Sequence, residues 1–299
     1  MPDANGVESR AGGAALTAEA RLKANNDTKA QGVEGTYNTM SILPKFKTVE
    51  DERLHLKISL AAAFRIMGDL GYDVGVAGHG TFRDPEFPEC FWMNPIAVHF
   101  SDMTVGELVL VNQHGEVIQG NRPINAAGFA IHAGIYRVNQ RVKSIVHNHS
   151  MYGKSFSVTG RTLLPITQDA CAFYERQALY NTYEGVVLDT DEGELLGKLL
   201  GEQNHLVILQ NHGLLTAGSN PDEMAWWFIS ADQCAQSEMI VDASGQKKIV
   251  LSHDVAVKTR AQVGTPLLGW YNFQPYKRRI LKQYPELLDA TAPVKDSYY

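Results

Sequence analysis

From Thr48 onward the chain alternates apolar and polar positions with two periods, and the first is helical. Leu54, Ile58, Ala61, Ala62, Phe64 and Ile66 recur near 3.6-residue spacing, so 48–71 reads as a helix. Thr48 with Asp51 three residues on forms its capping box, and Gly71 stops it. The pattern then shortens. Strands are expected around 75–83 (GVAGHGTFR), at 91–94 (FWMN), and at 106–112 and 116–120, the last two joined as a hairpin across Gln113-His114-Gly115. Consecutive strands joined by tight turns pair as antiparallel neighbours. Beyond them helices and strands alternate: helix 126–138, strand 143–149, helix 150–158, a loop through Pro165, helix 168–179, strand 185–189, helix 191–201, strand 205–212 and a long helix 221–243. Pro221 suits the first turn of that helix, and Asp222 and Glu223 suit its dipole. On it, Trp226, Trp227 and Phe228 point around the circumference, which fits packing better than a stacking platform.

Two regions fall outside this regularity. Residues 1–47, rich in Ala, Gly, Asn and acidic residues, hold few large apolar side chains and are expected to be a flexible arm. Residues 265–299 form an extension with Trp270, Tyr271, Phe273, Tyr276 and Tyr284 irregularly spaced, able to pack on the body or on another subunit. The body, 48–264, reads as one α/β domain with neither repeat nor linker.

Composition narrows the function. A formal net charge of −6 disfavours a broad phosphate-binding surface, so no nucleic-acid partner is expected, and Lys277-Arg278-Arg279 reads as a solvated face. No membrane span or secretory leader is expected. Three widely spaced cysteines, Cys90, Cys171 and Cys234, do not suit a disulfide framework. They read as core residues of a cytoplasmic protein.

The chemistry gathers at two strand ends. Ile145-Val146-His147-Asn148-His149 ends an apolar strand with histidines two apart, which share a face and converge. A second apolar strand, 206–210, ends in Asn211-His212-Gly213. Three imidazoles with an open position suit zinc or another divalent transition metal.

HNHSMYGKSF and, about sixty residues on, VILQNHGLLTAGSNPDEM resemble the class II aldolase/adducin family over about Leu54 to Ala243. The resemblance makes His147, His149 and His212 metal ligands. It implies a three-layer α/β/α fold around a largely antiparallel sheet and a homo-oligomer, such as a homotetramer, with its active site at a subunit interface. Two departures define the variant. The glutamate that serves the family's sugar-phosphate aldolases as acid/base falls, by spacing, on Gly128, and no carboxylate lies between Asn125 and His132. In this the segment resembles the adducin-like branch. The phosphate-binding Gly-Asn-hydrophobic-Ser is replaced by Gly78-His79-Gly80-Thr81, and the serine pair before the glutamate is missing.

These features set the expectations. Catalytic candidates are Glu175 and Tyr174, which would replace the missing acid/base, with His132 behind them. His79, Thr81, Arg83 and Asn125 are the substrate-binding candidates, Arg83 through a substrate carboxylate. The expected function is a metal-dependent lyase making or breaking a carbon–carbon bond next to a carbonyl, by aldol chemistry or decarboxylation. Its substrate is a small, non-phosphorylated oxygenated molecule and its metal zinc, with iron(II) as alternative. A non-haem iron oxygenase is the alternative function, and a non-enzymatic adducin-like interaction module the third.

Overall fold

Sequence periodicity and observed structure agree first at Thr48. In the computed structural model, which describes residues 43–183, 185 and 190–291, its hydroxyl accepts from the Asp51 amide at 3.1 Å and opens helix α1 (Val49–Asp69). All the elements named here lie in the unit that begins at Lys45. The first four strands are β1 (His79–Arg83), β2 (Phe91–Met93), β3 (Val109–Val111) and β4 (Val117–Gln119). They are followed by α2 (Ala126–Val138), β5 (Ser144–Asn148), α3 (Met151–Ser157), β6 (Gln177–Tyr180), α4 (Asp191–Leu200), β7 (Leu206–Leu209) and β8 (Gly213–Gly218). Helices α5 (Pro221–Ala243), α6 (His253–Val263) and α7 (Pro266–Gln283) complete the described part.

One eight-stranded sheet, ordered β4-β3-β2-β1-β5-β8-β7-β6, runs through the molecule, antiparallel at every pairing except β6 with β7. Both of its faces are covered, which is why its central strands read as unbroken apolar runs. Successive residues go to opposite cores: Val146, Leu206, Ile208 and Leu214 pack under α1, α3, α5 and α7, whereas Ile145, Val207, Leu209 and Leu215 pack under α2 and α4. The arrangement is the expected three-layer α/β/α with a largely antiparallel sheet. All three cysteines are buried free thiols. Trp227 and Phe228 are buried in the larger core, and Trp226 packs against it beside Tyr276. Among the described residues no helix is long and apolar enough to cross a membrane.

Several sequence expectations require correction. Residues 168–179 are not a helix: a 3-10 turn spans Asp169–Phe173, Glu175 takes a left-handed φ of 55°, and strand β6 follows. The strand expected to run to 212 stops at Leu209, turns, and returns as β8, which the pattern did not reveal. In the C-terminal extension, α7 packs on α1 and α5. Lys277 is not solvated there; it is 6% exposed and pairs with Asp222 at 3.0 Å. The strand expected at 185–189 and the arm at 1–47 lie outside the described residues except for Gly185 and 43–47.

Candidate metal centre

The pairing registers bring the histidines together. β1 and β5 place His79 directly opposite His147, and β5 and β8 place Leu215 opposite His147 on its other side. Cross-strand partners share a face, so His79, Thr81 and His147 all look toward α2. His149 continues just past the end of β5. His212 arrives from the β7–β8 turn, closed by its amide donating to the Leu209 carbonyl at 3.0 Å. That turn needs the residues it has. Asn211 takes φ 61°, a region asparagine tolerates. A Cβ on Gly213 would lie 2.9 Å from the Asn148 carbonyl and 3.4 Å from the His147 ring.

One ring nitrogen from each of His147, His149 and His212 lies within 4.8 Å of the others. The His147 Nδ1–H donates to the Leu214 carbonyl at 2.9 Å, which leaves its Nε2 as the free ligand atom. His149 Nε2 is buried and has no hydrogen-bond partner. Burial, then the neighbouring imidazoles, pushes His147 well below its ordinary pKa and His212 down to about 4. The three rings are therefore neutral at pH 7, the form that ligates. An orphaned buried nitrogen beside two further imidazoles fits a divalent transition metal.

The remaining candidates divide. His79 is buried, its ring centroid 5.1 Å from that of His147. His132 is fully buried and hydrogen-bonded to His79 on one side and Thr81 on the other. The Thr81 hydroxyl is taken up by His132 and Tyr136. Arg83 is not available to a carboxylate: its guanidinium donates to the carbonyls of Pro88, Tyr136, Val142 and Asn139 and lies over the Tyr136 ring. Asn125 caps α2, accepting from the Gly128 amide at 3.0 Å and donating to the Val76 carbonyl. Tyr174 and Glu175 stand at the wrong end of the sheet within one protomer. Gln177 opens β6 opposite Leu206, whereas His212 lies beyond Leu209 at the other end of β7, roughly 10 Å or more away. There Tyr174 meets His253 and Glu175 pairs with Arg260. Tyr183, past the end of β6, is the aromatic that does reach the cluster, its ring 6.0 Å from His212.

Residues 58–239 match the family model described as the class II aldolase and adducin N-terminal domain. The chain is 38% identical over 246 residues to "Decarboxylase NovR" of Streptomyces niveus, covering 82% of this chain and 90% of that protein. It is 39% identical over 252 residues to "4-hydroxy-3-prenylphenylpyruvate oxygenase/4-hydroxy-3-prenylbenzoate synthase" of Streptomyces roseochromogenus, covering 84% and 90%. Among solved structures it is similar to an L-fuculose 1-phosphate aldolase from Glaciozyma antarctica, with a TM-score of 0.76 and 39% identity over 83% of this chain and 97% of that one.

Proposed function

The chain belongs to the class II aldolase and adducin family, and we propose that it is a metal-dependent lyase for a small, non-phosphorylated oxygenated acid. Kinship with a decarboxylase and with aldolases makes it an enzyme. The observation that carries the reading is the convergence of three neutral imidazoles, one of them His149 with its Nε2 buried and unpartnered. His147, His149 and His212 would hold a divalent ion, which when bound would supply the Lewis acidity that cleavage of a carbon–carbon bond next to a carbonyl needs. The chain's own residues orient the rings, through Leu214 and the Asn211 turn, and put His79 beside them.

The name of the Streptomyces roseochromogenus relative supports a 2-oxo acid bearing an aromatic ring, and the name of the Streptomyces niveus relative supports loss of carbon dioxide. The Glaciozyma aldolase points instead to a sugar phosphate. Against that stands Thr81, the hydroxyl in the segment that replaces the aldolases' phosphate loop, which is fully buried and bonded inward to His132 and Tyr136. Cleavage of fuculose 1-phosphate is expected to stay below about 1 per second. Zinc is the proposed ion. The working form is proposed as a cytoplasmic homo-oligomer with arm 1–47, catalytic body 48–264 and extension 265–299.

A second reading, an iron(II) oxygenase, is favoured by the name of the Streptomyces roseochromogenus relative, and a three-imidazole set suits iron as well as zinc. The deciding experiment is turnover of aryl 2-oxo and 2-hydroxy acids under nitrogen and under air, with protein reconstituted with zinc or with ferrous iron. Activity with zinc under nitrogen is expected; strict dependence on both oxygen and iron overturns the lyase in favour of the oxygenase.

A further inference from the structure

The end of the sheet opposite the clustered histidines holds a second gathering of polar side chains. There β6 and β7 begin side by side, with Gln177 paired to Leu206. The residues just before them are Arg176 and His205, and the His205 amide donates to the Arg176 carbonyl at 3.0 Å. Arg141, ahead of β5, joins them by donating from Nη2 to the Asn204 carbonyl at 2.7 Å and from Nε to the Gly201 carbonyl at 3.0 Å. Ser219 follows the end of β8, which runs antiparallel to β7. These four side chains line one cavity of about 270 Å³, at the small end for a ligand pocket.

His205 supplies the most specific requirement. It is 6% exposed, and its Nε2 is buried without a hydrogen-bond partner among the described residues. The ring lies flat against Trp227, centroids 4.3 Å apart and planes 17° apart, which fixes where its edge points. Its hydrogen bond to the Ala172 backbone falls to Nδ1, because Nε2 makes none. Burial, then Arg141 and Arg176, keeps the ring neutral, so with the proton on Nδ1 the Nε2 is a bare lone pair that needs a donor. The arginines need the opposite. Their printed bonds go to carbonyls and to Gln203, which leaves Arg141 Nη1 and Arg176 Nε and Nη2 without an acceptor among the described residues. Two carboxylates also line the cavity, but neither answers them: Glu223 is held by the Ser219 amide and hydroxyl and by Trp227 Nε1, and Glu202 is exposed. Guanidinium groups call for an oxyanion, and the lone pair calls for a hydroxyl. A phosphate group that keeps one P–OH supplies both.

We propose that this cavity binds a phosphate group, its charged oxygens accepting from Arg141 and Arg176 and its P–OH donating to His205 Nε2. The site does not rest on the lyase reading, since it uses none of the residues around the clustered histidines.

The test is isothermal titration of the full-length protein at pH 6, zinc-loaded and as the His147→Ala, His149→Ala double variant, with inorganic phosphate and with sulfate. At that pH sulfate has the larger charge and no O–H, so a preference for phosphate reports the lone pair and not the charge. In the double variant, which leaves no metal to take up the anion, one phosphate per chain is expected, bound about tenfold or more tighter than sulfate. The zinc-loaded protein should show the same event. Arg176→Met should weaken phosphate binding about tenfold or more. His205→Phe, which keeps a ring on Trp227 and drops the lone pair, should bring phosphate and sulfate level. Methyl phosphate, about half of which keeps its O–H at this pH, separates the two sources: affinity equal to or above that of inorganic phosphate makes the ligand a phosphomonoester, and weaker binding makes it the free ion. Equal affinity for phosphate and sulfate before substitution of His205, no binding of phosphate, or binding that the double variant loses overturns the proposal.

Discussion

His149 Nε2 is buried without a partner, as His205 Nε2 is in the core, but among the described residues it is His149 that has two further imidazole nitrogens within 4.8 Å, which makes it the candidate ligand. Replacing His147 or His149 by Ala is expected to lower divalent-metal affinity by about 100-fold or more. The circular dichroism spectrum should stay unchanged, because the two cores form without the ion. Metal analysis after dialysis decides it, and full occupancy in the double variant would remove the assignment. Arg83 calls for the opposite outcome. Sequence offered it as a carboxylate ligand, since an arginine two residues beyond Thr81 on a strand shares its face. The structure spends its guanidinium on buried carbonyls, bonding to Pro88 at 2.8 Å and to Val142 at 3.0 Å among them. Arg83→Ala should therefore cost about 3 kcal/mol of stability in urea denaturation, by stranding those acceptors, and leave metal stoichiometry unchanged.

Elements were legible where one period dominated. Helix α2 begins and ends where its apolar spacing does, and α5 starts at Pro221 behind an Asn220 cap, as the sequence indicates. The clustering of His147, His149 and His212 was legible for a related reason, since they fall in or just after two apolar runs that the sheet brings together. The misreading at 168–179 arose where a short element borders a turn with no glycine or proline to mark it. The left-handed residue that separates the 3-10 turn from β6 is Glu175, for which sequence carries no such signal, so 168–179 reads as one helix. That error moved Tyr174 and Glu175 toward the site and hid Tyr183. The extension was opaque for another reason: what fixes α7 is an interior ion pair, Lys277 with Asp222 of α5, supported by Ser59 and Gln274. Asp222→Asn should leave the ammonium buried without its counter-charge and destabilise the protein by about 3 kcal/mol or more. Asp222→Leu with Lys277→Met should recover most of that. Thermal unfolding of the three proteins checks it, and equal losses in the single and double variants would deny the pair its role.

For the whole molecule, buried neutral histidines set the acid limit. Burial, then Arg141 and Arg176, holds His205 down at about 3, where it stacks on Trp227; burial, then Lys277, holds His55 at about 4. Both values lie below the ordinary 6.5, so the unfolded chain takes up these protons first. Their contribution is whole above about pH 6.5 and is lost as pH falls, toward about 4 for His55 and about 3 for His205, at about 1.4 kcal/mol per pH unit for each proton. Urea unfolding between pH 6 and pH 4 should show a slope shallower by about one proton in His205→Asn; an unchanged slope would rule out His205. The ladder registers have a kinetic consequence as well. His147 pairs with His79 on one side and with Leu215 on the other, each 68 positions away along the chain. Neither ladder can form until a long loop has closed, and such closures slow folding. The strand that leads into two of the three proposed ligands is thus fixed late, after the local helices and the β2–β3–β4 meander, so an ion arriving during folding would meet scattered imidazoles until the centre of the sheet is complete.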